Sequence, residues 1–315
     1  MLSSSLVVLW SGLIFGADYA EHPMVEPFVQ EMVQESKFDE QLLRTWISDA
    51  SRKSSILDAI SRPAEKTKEW FEYKELFITE KRIAAGKEFL EANAEAFARA
   101  EKTYGVPKEI IAAIIGVETF YGRQTGGYRV LDALTTLAFD YPQRPIFWRE
   151  LKSFFLMARE EGLDPLVLKG SYAGAMGLGQ FIPSSYRSFA VDFDGDGKKD
   201  IWTDPADAIG SVANYFKQHG WKTGEPVIEQ VTLHDPLIDQ QANDNLEPTL
   251  MLSDWYKLGV DIPKNLPEQK AAFFRYQRED GVDYYLGLNN FYTITRYNHS
   301  RLYAMAVYQL SQALK

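Results

Sequence analysis

The sequence predicts a mainly helical α+β protein in which a small β-containing segment interrupts the helices late in the chain. Apolar residues recur at helical spacing through roughly the first 220 residues. After Thr223-Gly224, three segments have the β-branched and aromatic content of strands: 226–233, 271–277 and 284–297. The tail from Ser300 to Leu314 returns to helical spacing, so we expect the chain to end in a helix.

The composition excludes several classes of function. A chain of 315 residues suggests two or three packed units. A net charge of −10 without a basic stripe argues against a nucleic-acid partner. The chain contains no cysteine, which excludes disulfides, thiolate metal sites and attachment of a lipid through cysteine. Aromatic residues make up 14%, a high share that suits the binding of sugar rings.

The amino terminus is ambiguous. Residues 6–17 read LVVLWSGLIFGA, an apolar run of signal-peptide length that is too short to span a membrane comfortably. No Lys or Arg precedes the run, and no clear cleavage site follows it. We interpret residues 1–20 as a possible signal segment; a buried first helix or a mis-assigned start are the alternatives. No other segment approaches membrane-spanning length, so we expect no stable membrane insertion.

Helical elements are predicted in order along the chain. The spacing of apolar residues predicts two or three short helices over 24–61, closed by Pro63, and one long helix from Thr79 to Tyr104. The next unit, from Val106 to about Trp221, carries most of the glycine. A short helix over 254–258 is predicted between the strands.

Glu118 is the leading candidate for catalysis. It stands near the end of a strongly apolar helix, with Ile111, Ile114 and Ile115 on roughly the same face. A carboxyl group on such a face is either paired or kept protonated by desolvation. A protonated carboxylic acid is what a glycosidase needs to protonate a leaving oxygen. The alternative is an ion pair with Arg123 at the helix end.

A stretch rich in small residues begins at Gly170, where seven of ten residues are Gly, Ala or Ser. Such residues let the backbone approach a ligand or another helix closely. It lacks the Gly-Lys-Ser/Thr ending of a phosphate loop. Ser171 suits either a ligand contact or a plain turn. Gln180 and Phe181 supply a polar group followed by an apolar wall.

Residues 192–207 resemble a calcium-binding loop of the EF-hand type. With Asp192 as position one, Asp194 and Asp196 fall at three and five, and Lys198 offers its carbonyl at seven. Position twelve is Thr203 instead of the expected glutamate. Asp207, one turn into the next helix, is the predicted replacement. Hard oxygen ligands favour Ca²⁺ over zinc or copper, and the alternative is an acidic turn without an ion.

Other titratable residues are weaker candidates. The histidines are scattered and form no metal-binding pair: His22, His219, His234 and His299. Three aspartates could each act as a second catalytic carboxylate, although none stands in an apolar frame as Glu118 does: Asp132, Asp140 and Asp164.

Three motifs together resemble the lytic murein transglycosylase B family, glycoside hydrolase family 103. They are the segment GVETFYG at 116–122, the stretch from Gly170 through QFIPSSY at 180–186, and YNHSRLYA at 297–304. The resemblance covers about 28–314. Some members of that family hold calcium in a similar acidic loop. This chain differs in an extra residue near Thr203 and lacks the lipid-bearing cysteine of the anchored members.

The resemblance implies a lysozyme-like helical core with an N-terminal helical domain and a small β-containing insert. The implied domains are 21–104, 105–222 plus 291–315, and 223–290 for the insert. It assigns four residues to holding sugars and their acetamido groups: Ser171, Gln180, Tyr297 and Asn298. It places three aromatic residues around the groove as apolar walls: Phe181, Tyr303 and Tyr73.

The implied activity is cleavage of the β-1,4 bond between N-acetylmuramic acid and N-acetylglucosamine in peptidoglycan. With one convincing carboxylate, Glu118 would serve as acid and then as base while the substrate's own C6 hydroxyl forms a 1,6-anhydro ring. The alternatives are a lysozyme-type hydrolase with a second carboxylate and a non-catalytic module that binds cell-wall glycan. We expect calcium as the only cofactor, glycan strands as the partner, and a soluble monomer in the periplasm or secreted.

Overall fold

The computed structural model describes residues 18–61 and 68–315. The apolar run at 6–17 and Pro63 therefore lie outside the described residues. From Asp18 onward the chain belongs to the fold, since Tyr19 is fully buried and its hydroxyl donates to Asp140 Oδ2 at 2.6 Å. In the two described ranges, no helix combines the length and apolarity needed to cross a membrane.

Three short helices begin the described chain and confirm the sequence prediction: α1 (Val25–Ser36), α2 (Glu40–Asp49) and α3 (Ser54–Ile60). Asp39 caps α2 by accepting a hydrogen bond from the backbone N–H of Leu42 at 2.7 Å. A further short helix, α4 (Trp70–Lys74), was not predicted.

The single long helix predicted from Thr79 to Tyr104 is wrong. The chain forms α5 (Glu80–Ala92) and α6 (Ala94–Tyr104), which meet at Asn93. The Asn93 backbone leaves helical geometry, with φ −121° and ψ 28°, and its Nδ2 donates to the carbonyl of Phe89 at 2.9 Å. Short amide side chains compete with the backbone for such hydrogen bonds, and here the competition ends the helix.

A buried helix, α7 (Lys108–Thr119), forms the centre of the molecule. It is apolar on nearly every side and packs against α5 and α6. Four more helices follow: α8 (Val130–Asp140), α9 (Ile146–Glu161), α10 (Pro183–Phe189) and α11 (Pro205–Gln218). A two-stranded antiparallel ribbon joins β1 (Tyr128–Arg129) to β2 (Lys169–Gly170) beside the stretch rich in small residues.

The late segment forms a small antiparallel sheet in the order β3-β6-β5-β4. Its elements are β3 (Ile228–Val231), a 3₁₀ helix (Pro236–Gln241), β4 (Leu250–Met251), α12 (Leu252–Leu258), β5 (Lys270–Gln277) and β6 (Val282–Gly287). Strand residues alternate between two cores: Phe273 joins a local cluster with Trp255 and Leu286, whereas Phe274 and Tyr276 join the main core. The local cluster lies within the range predicted for the insert.

The strand predicted over 284–297 is wrong in its second half, where the chain forms α13 (Asn289–Tyr297). Phe291, Ile294 and Thr295 are buried at helical spacing. The β-branched residues of this segment favour a strand, which is why the sequence did not predict the helix. The tail forms α14 (Arg301–Ala313), as predicted, with Ser300 accepting from Tyr303 N at 3.3 Å.

One hydrophobic cluster runs through the N-terminal helices, the central helices and the tail. Phe28, Phe97, Ile114 and Leu310 all belong to it and are fully buried. The border predicted between 104 and 105 therefore does not separate two cores. The consequence for the site is that α7 is held from several sides by parts of the chain that are far apart in sequence.

Candidate active site

Glu118 lies half-buried in the last turn of α7, and Tyr303 from the first turn of α14 donates a hydrogen bond to its Oε1 at 2.6 Å. Ile111, Ile114 and Ile115 are fully buried beside it along the helix. Arg123, the alternative ion-pair partner, has its Nη2 3.6 Å from Glu88 Oε2. The carboxyl group of Glu118 is therefore held by a neutral donor from the far end of the chain.

Two tyrosine hydroxyls near Glu118 stay protonated across the neutral pH range. Burial, followed by the negative charge of Glu118, raises the pKa of Tyr303 well above its usual value. The same two causes act in the same order on the pKa of Tyr297. Both groups consequently remain hydrogen-bond donors during any chemistry near neutral pH.

The chain after Glu118 follows an uncommon backbone path. Phe120, Tyr121 and Gly122 all have positive φ, at 51°, 58° and 84°. Left-handed geometry costs energy in residues that carry a side chain, and it clusters at functional sites. Thr119 holds the turn, because its Oγ1 donates to the carbonyl of Leu178 at 2.8 Å and accepts from Gly122 N at 3.0 Å. Sequence analysis missed this role of Thr119.

The stretch rich in small residues closes against this turn. Ser171 Oγ accepts from Ala175 N at 3.0 Å and so closes a tight turn of its own. Gln180, with φ 52°, donates through Nε2 to the carbonyls of Thr125 at 3.1 Å and Gly177 at 2.9 Å. Gln180 thereby joins the loop after Glu118 to the loop that contains Ser171.

Aromatic residues lie directly behind the site. Tyr297 donates through its hydroxyl to the carbonyl of Gly179 at 2.5 Å. Phe181, Tyr303 and Tyr73, the residues that the family resemblance places around the groove as apolar walls, are only 3%, 2% and 1% exposed. Asn298 is half-buried just after α13, and its carbonyl accepts from Ser300 N at 2.7 Å.

The three candidate second carboxylates all serve other interactions. Asp132 accepts from Ser51 N at 2.8 Å and pairs with Arg129 at 2.6 Å. Asp140 accepts from Tyr19, and Asp164 accepts from Leu166 N in its own turn at 2.9 Å.

The acidic loop brings Asp192, Asp194 and Asp196 together, with one oxygen from each within 4.8 Å of the others. All three are exposed. Asp192 Oδ2 accepts from Gly197 N at 2.8 Å, which closes the loop at its sharp-turn position, where φ is 91°. The grouping matches the predicted ligands at positions one, three and five.

Asp207, the residue predicted to supply the last ligand, lies beneath this loop. Its Oδ1 accepts from Phe193 N at 2.6 Å and its Oδ2 from Asp200 N at 2.7 Å. Burial raises the pKa of Asp207, and these hydrogen bonds partly offset that effect. The carboxyl group thus organises the loop backbone and is not part of the cluster formed by the other three aspartates.

Arg82 is a second residue near the site that sequence analysis missed. Its Nε donates to the carbonyl of Gly116 at 3.1 Å, and Nη1 donates to the carbonyl of Leu76. Its guanidinium lies over the rings of Phe77 and Phe120, at 5.3 and 5.0 Å from their centroids. No local sequence signal marks it, because it acts through tertiary contacts.

Comparison with known proteins now identifies the family. Residues 20–312 match the model described as the transglycosylase SLT domain. The chain belongs to the transglycosylase SLT domain family. Among SLT relatives, membrane-bound lytic murein transglycosylase B of Escherichia coli strain K12 is 45% identical over 310 residues, 95% of this chain and 84% of the relative.

Two solved structures of SLT-family enzymes resemble this one throughout. The catenated lytic transglycosylase SltB1 of Pseudomonas aeruginosa has a TM-score of 0.92 and 54% identity, covering 94% of this chain and 98% of its own. The E. coli lytic transglycosylase Slt35 in complex with calcium has a TM-score of 0.85 and 45% identity, covering 95% of each chain. The predictions of a mainly helical, lysozyme-like fold and of a peptidoglycan lytic transglycosylase are confirmed.

Proposed function

We propose that Glu118 is the single acid/base with which this lytic transglycosylase cleaves the bond between N-acetylmuramic acid and N-acetylglucosamine. The observation that carries the proposal is the Tyr303–Glu118 hydrogen bond at 2.6 Å. The separate engagement of Asp132, Asp140 and Asp164 supports it. A mechanism with two carboxylates flanking the bond needs a second carboxylate, and none of these three aspartates is available for that role.

The chemistry needs one proton carrier and no external nucleophile. Protonated Glu118 gives its proton to the bridging oxygen, and the C1–O bond to N-acetylglucosamine breaks. The C6 hydroxyl oxygen of the muramic acid then bonds to its own C1, and ionised Glu118 takes the hydroxyl proton. The products are a 1,6-anhydro end and a free N-acetylglucosamine hydroxyl, and Glu118 is protonated again.

The polar atoms that can contact the substrate are those that make no hydrogen bond within the protein in the described contacts. Gln180 Nε2 is committed to two backbone carbonyls, so its amide oxygen is the part that can accept from a sugar acetamido N–H. We assign Ser171, Tyr297 and Asn298 to the same sugar-binding surface. Phe181, Tyr73 and Tyr303 lie behind it and fix its shape by packing.

We further propose that the acidic loop binds Ca²⁺ as a structural ion. Asp192, Asp194 and Asp196, together with the Lys198 carbonyl, offer the hard oxygen ligands that calcium prefers. Asp207 supports the loop from below through hydrogen bonds to the backbone N–H groups of Phe193 and Asp200. The complex of the Slt35 relative with calcium supports this assignment. The ion would strengthen a loop that precedes α11 and would not take part in bond cleavage.

We place the enzyme in the periplasm or outside the cell, as a monomer acting on glycan strands. Its substrate class and the membrane-bound relative support that location. Fractionation of cells that produce the tagged full-length chain tests it. Recovery of the mature protein only in the cytoplasm would contradict it.

Product chemistry tests the reaction. Purified murein is digested in heavy-oxygen water, and the fragments are analysed by mass spectrometry. Anhydro ends are one water lighter than reducing ends and carry no label. Labelled reducing ends would show that water is the nucleophile, as in the lysozyme-type alternative. Murein that is not cleaved at all would favour the alternative of a non-catalytic module that binds cell-wall glycan.

A further inference from the structure

The side chain of Tyr121 lies against two glycines where α5 and α7 pack together. A methyl group added at Gly86 would lie 2.2 Å from Tyr121 Oη and 2.7 Å from its Cζ. One added at Gly116 would lie 2.6 Å from each of those two atoms. Carbon atoms that are not bonded prefer separations of about 3.5–4.0 Å, so neither methyl group fits beside the ring. We call the space bounded by Gly86 and Gly116 the tyrosine slot.

Both glycines stand inside helices, where glycine is unfavourable because it loses more backbone freedom on folding than alanine does. The tyrosine slot accounts for them, since only a hydrogen at each position leaves room for the ring. Tyr121 is 8% exposed in the slot, and the ring centroid of Phe89 from α5 is 5.5 Å from its own. The two helices are therefore shaped to receive this ring.

The tyrosine slot anchors a turn that is unfavourable by itself. Phe120 and Tyr121 are consecutive residues with side chains, and their φ angles are 51° and 58°. Such left-handed geometry persists only where the surrounding structure determines it. The hydroxyl of Tyr121 has no hydrogen-bond partner in the described part of the chain. The packing of the ring, and not a hydrogen bond from its hydroxyl, consequently holds the turn.

The anchored turn connects the end of α7 to both loops of the site. Thr119, directly before the turn, donates to the carbonyl of Leu178, and the carbonyl of Thr125, just after it, accepts from Gln180. Glu118 is the residue before Thr119. Displacement of the ring would shift these groups together, and a misplacement of about 1 Å can slow a reaction about a hundredfold.

We propose that Tyr121, held in the tyrosine slot, is a positioning residue for the Glu118 carboxyl group. This inference rests on the proposed function of Glu118. Tyr303 fixes one carboxyl oxygen directly, whereas the ring of Tyr121 fixes the backbone that carries the side chain. Gly86 is the informative position for a test, because it lies on α5 and touches the turn through that ring.

Gly86→Ala should lower kcat on soluble glycan strands by about ten- to hundredfold, with KM changed by less than about twofold. The added methyl group displaces the ring and leaves the side chains assigned to sugar binding unaltered. Combining Gly86→Ala with Tyr121→Phe removes Oη, the atom nearest to the new methyl group. The double variant should therefore recover part of the lost kcat, a coupling that a general loss of stability would not produce.

Gly210→Ala is the matched control. It adds the same methyl group to a helical glycine against another ring, that of Phe193 in the acidic loop, where the nearest atom would lie at 2.3 Å. Assayed well below the melting temperature of each protein, the control should keep its kcat. An unchanged kcat in Gly86→Ala, or an equal loss in Gly210→Ala, would overturn the proposed role of Tyr121.

Tyr121→Leu provides the test if Gly86→Ala does not fold, because it removes the ring without introducing a clash. It should lower kcat in the same way, and a wild-type kcat would overturn the role of Tyr121 equally well. Glu118→Gln, measured alongside, separates the two proposals. Near wild-type cleavage by that variant would overturn the proposed function itself.

Discussion

At the scale of single residues, the hydrogen bond from Tyr303 to Glu118 positions the carboxyl group that we propose as the acid/base. A buried hydroxyl whose pKa is raised well above its usual value donates without becoming charged. It fixes one carboxyl oxygen of Glu118 at 2.6 Å. Tyr303 is thus a positioning residue in the proposed mechanism.

Glu118→Gln should fold normally and cleave murein at least ~10³-fold more slowly, within the usual range for loss of a general acid–base. Glutamine keeps the shape of the side chain but cannot give up and regain the proton. Release of soluble fragments from purified murein measures the rate. Glu109→Gln, at the opposite end of α7, is the control, and near wild-type cleavage by Glu118→Gln would end the assignment.

Tyr303→Phe should lower kcat by about tenfold or more, the amount expected for a hydrogen bond to a group that becomes charged. The ring stays in place, so KM should change little. Tyr308→Phe, five residues further along α14, is the matched control and should keep its activity. Equal kcat values for the two variants would show that the Tyr303 hydroxyl does not position Glu118.

Residue predictions from sequence rest on local context. Glu118 stood out because a single carboxylate interrupts an apolar helix face, and the acidic loop stood out by its regular spacing. The donor role of Tyr303 could not be predicted, because it arises from packing between residues 185 positions apart. The same reason explains why Arg82 and its contact with Gly116 were missed.

At the scale of elements, the acidic loop and α11 form one unit, in which Asp207 from the first turn of the helix organises the loop backbone. The loop closes through its own Asp192 as well. Local pattern predicted the loop and its neighbouring helix correctly. It failed at Asn93 and over 289–297, where a side-chain hydrogen bond and tertiary burial decided the backbone geometry.

Calcium should raise the melting temperature, because an ion that binds only the folded state stabilises it by about 2.7 kcal/mol at a hundredfold excess over Kd. Magnesium should do so much less, since it demands a tighter octahedral shell. Asp194→Ala combined with Asp196→Ala should abolish the shift. Asp244→Ala combined with Glu279→Ala removes equal charge elsewhere and should preserve it; an identical melting temperature with and without chelator would contradict calcium binding.

At the scale of the whole molecule, burial of many tyrosines links stability to pH. Burial raises the pKa of Tyr121, Tyr186, Tyr297 and Tyr303 above the ordinary value of 10.0. The unfolded chain therefore loses these protons at lower pH than the folded protein does. The contribution of these tyrosines to the free energy of unfolding is fully present below pH about 10 and is lost as the pH rises further.

Melting temperatures measured from pH 8 to 11 should accordingly stay level at first and then fall above pH about 10. Tyr121→Phe should flatten the decline, because the Tyr121 hydroxyl is buried without a hydrogen-bond partner in the described chain. Tyr172→Phe, at a ring that is 39% exposed, should follow the wild-type curve. A decline that is equally steep in all three proteins would contradict this account.

The 185-residue separation between Glu118 and Tyr303 has a consequence for when the enzyme becomes active. A ribosome that has just added Glu118 needs roughly 10 to 40 s to reach Tyr303, at about 5–20 residues per second. Throughout that interval Glu118 lacks the hydrogen bond from Tyr303, and α7 lacks the tail helix that packs against it. In the proposed mechanism, a growing chain therefore lacks full activity until Tyr303 has been added and α14 has packed against α7.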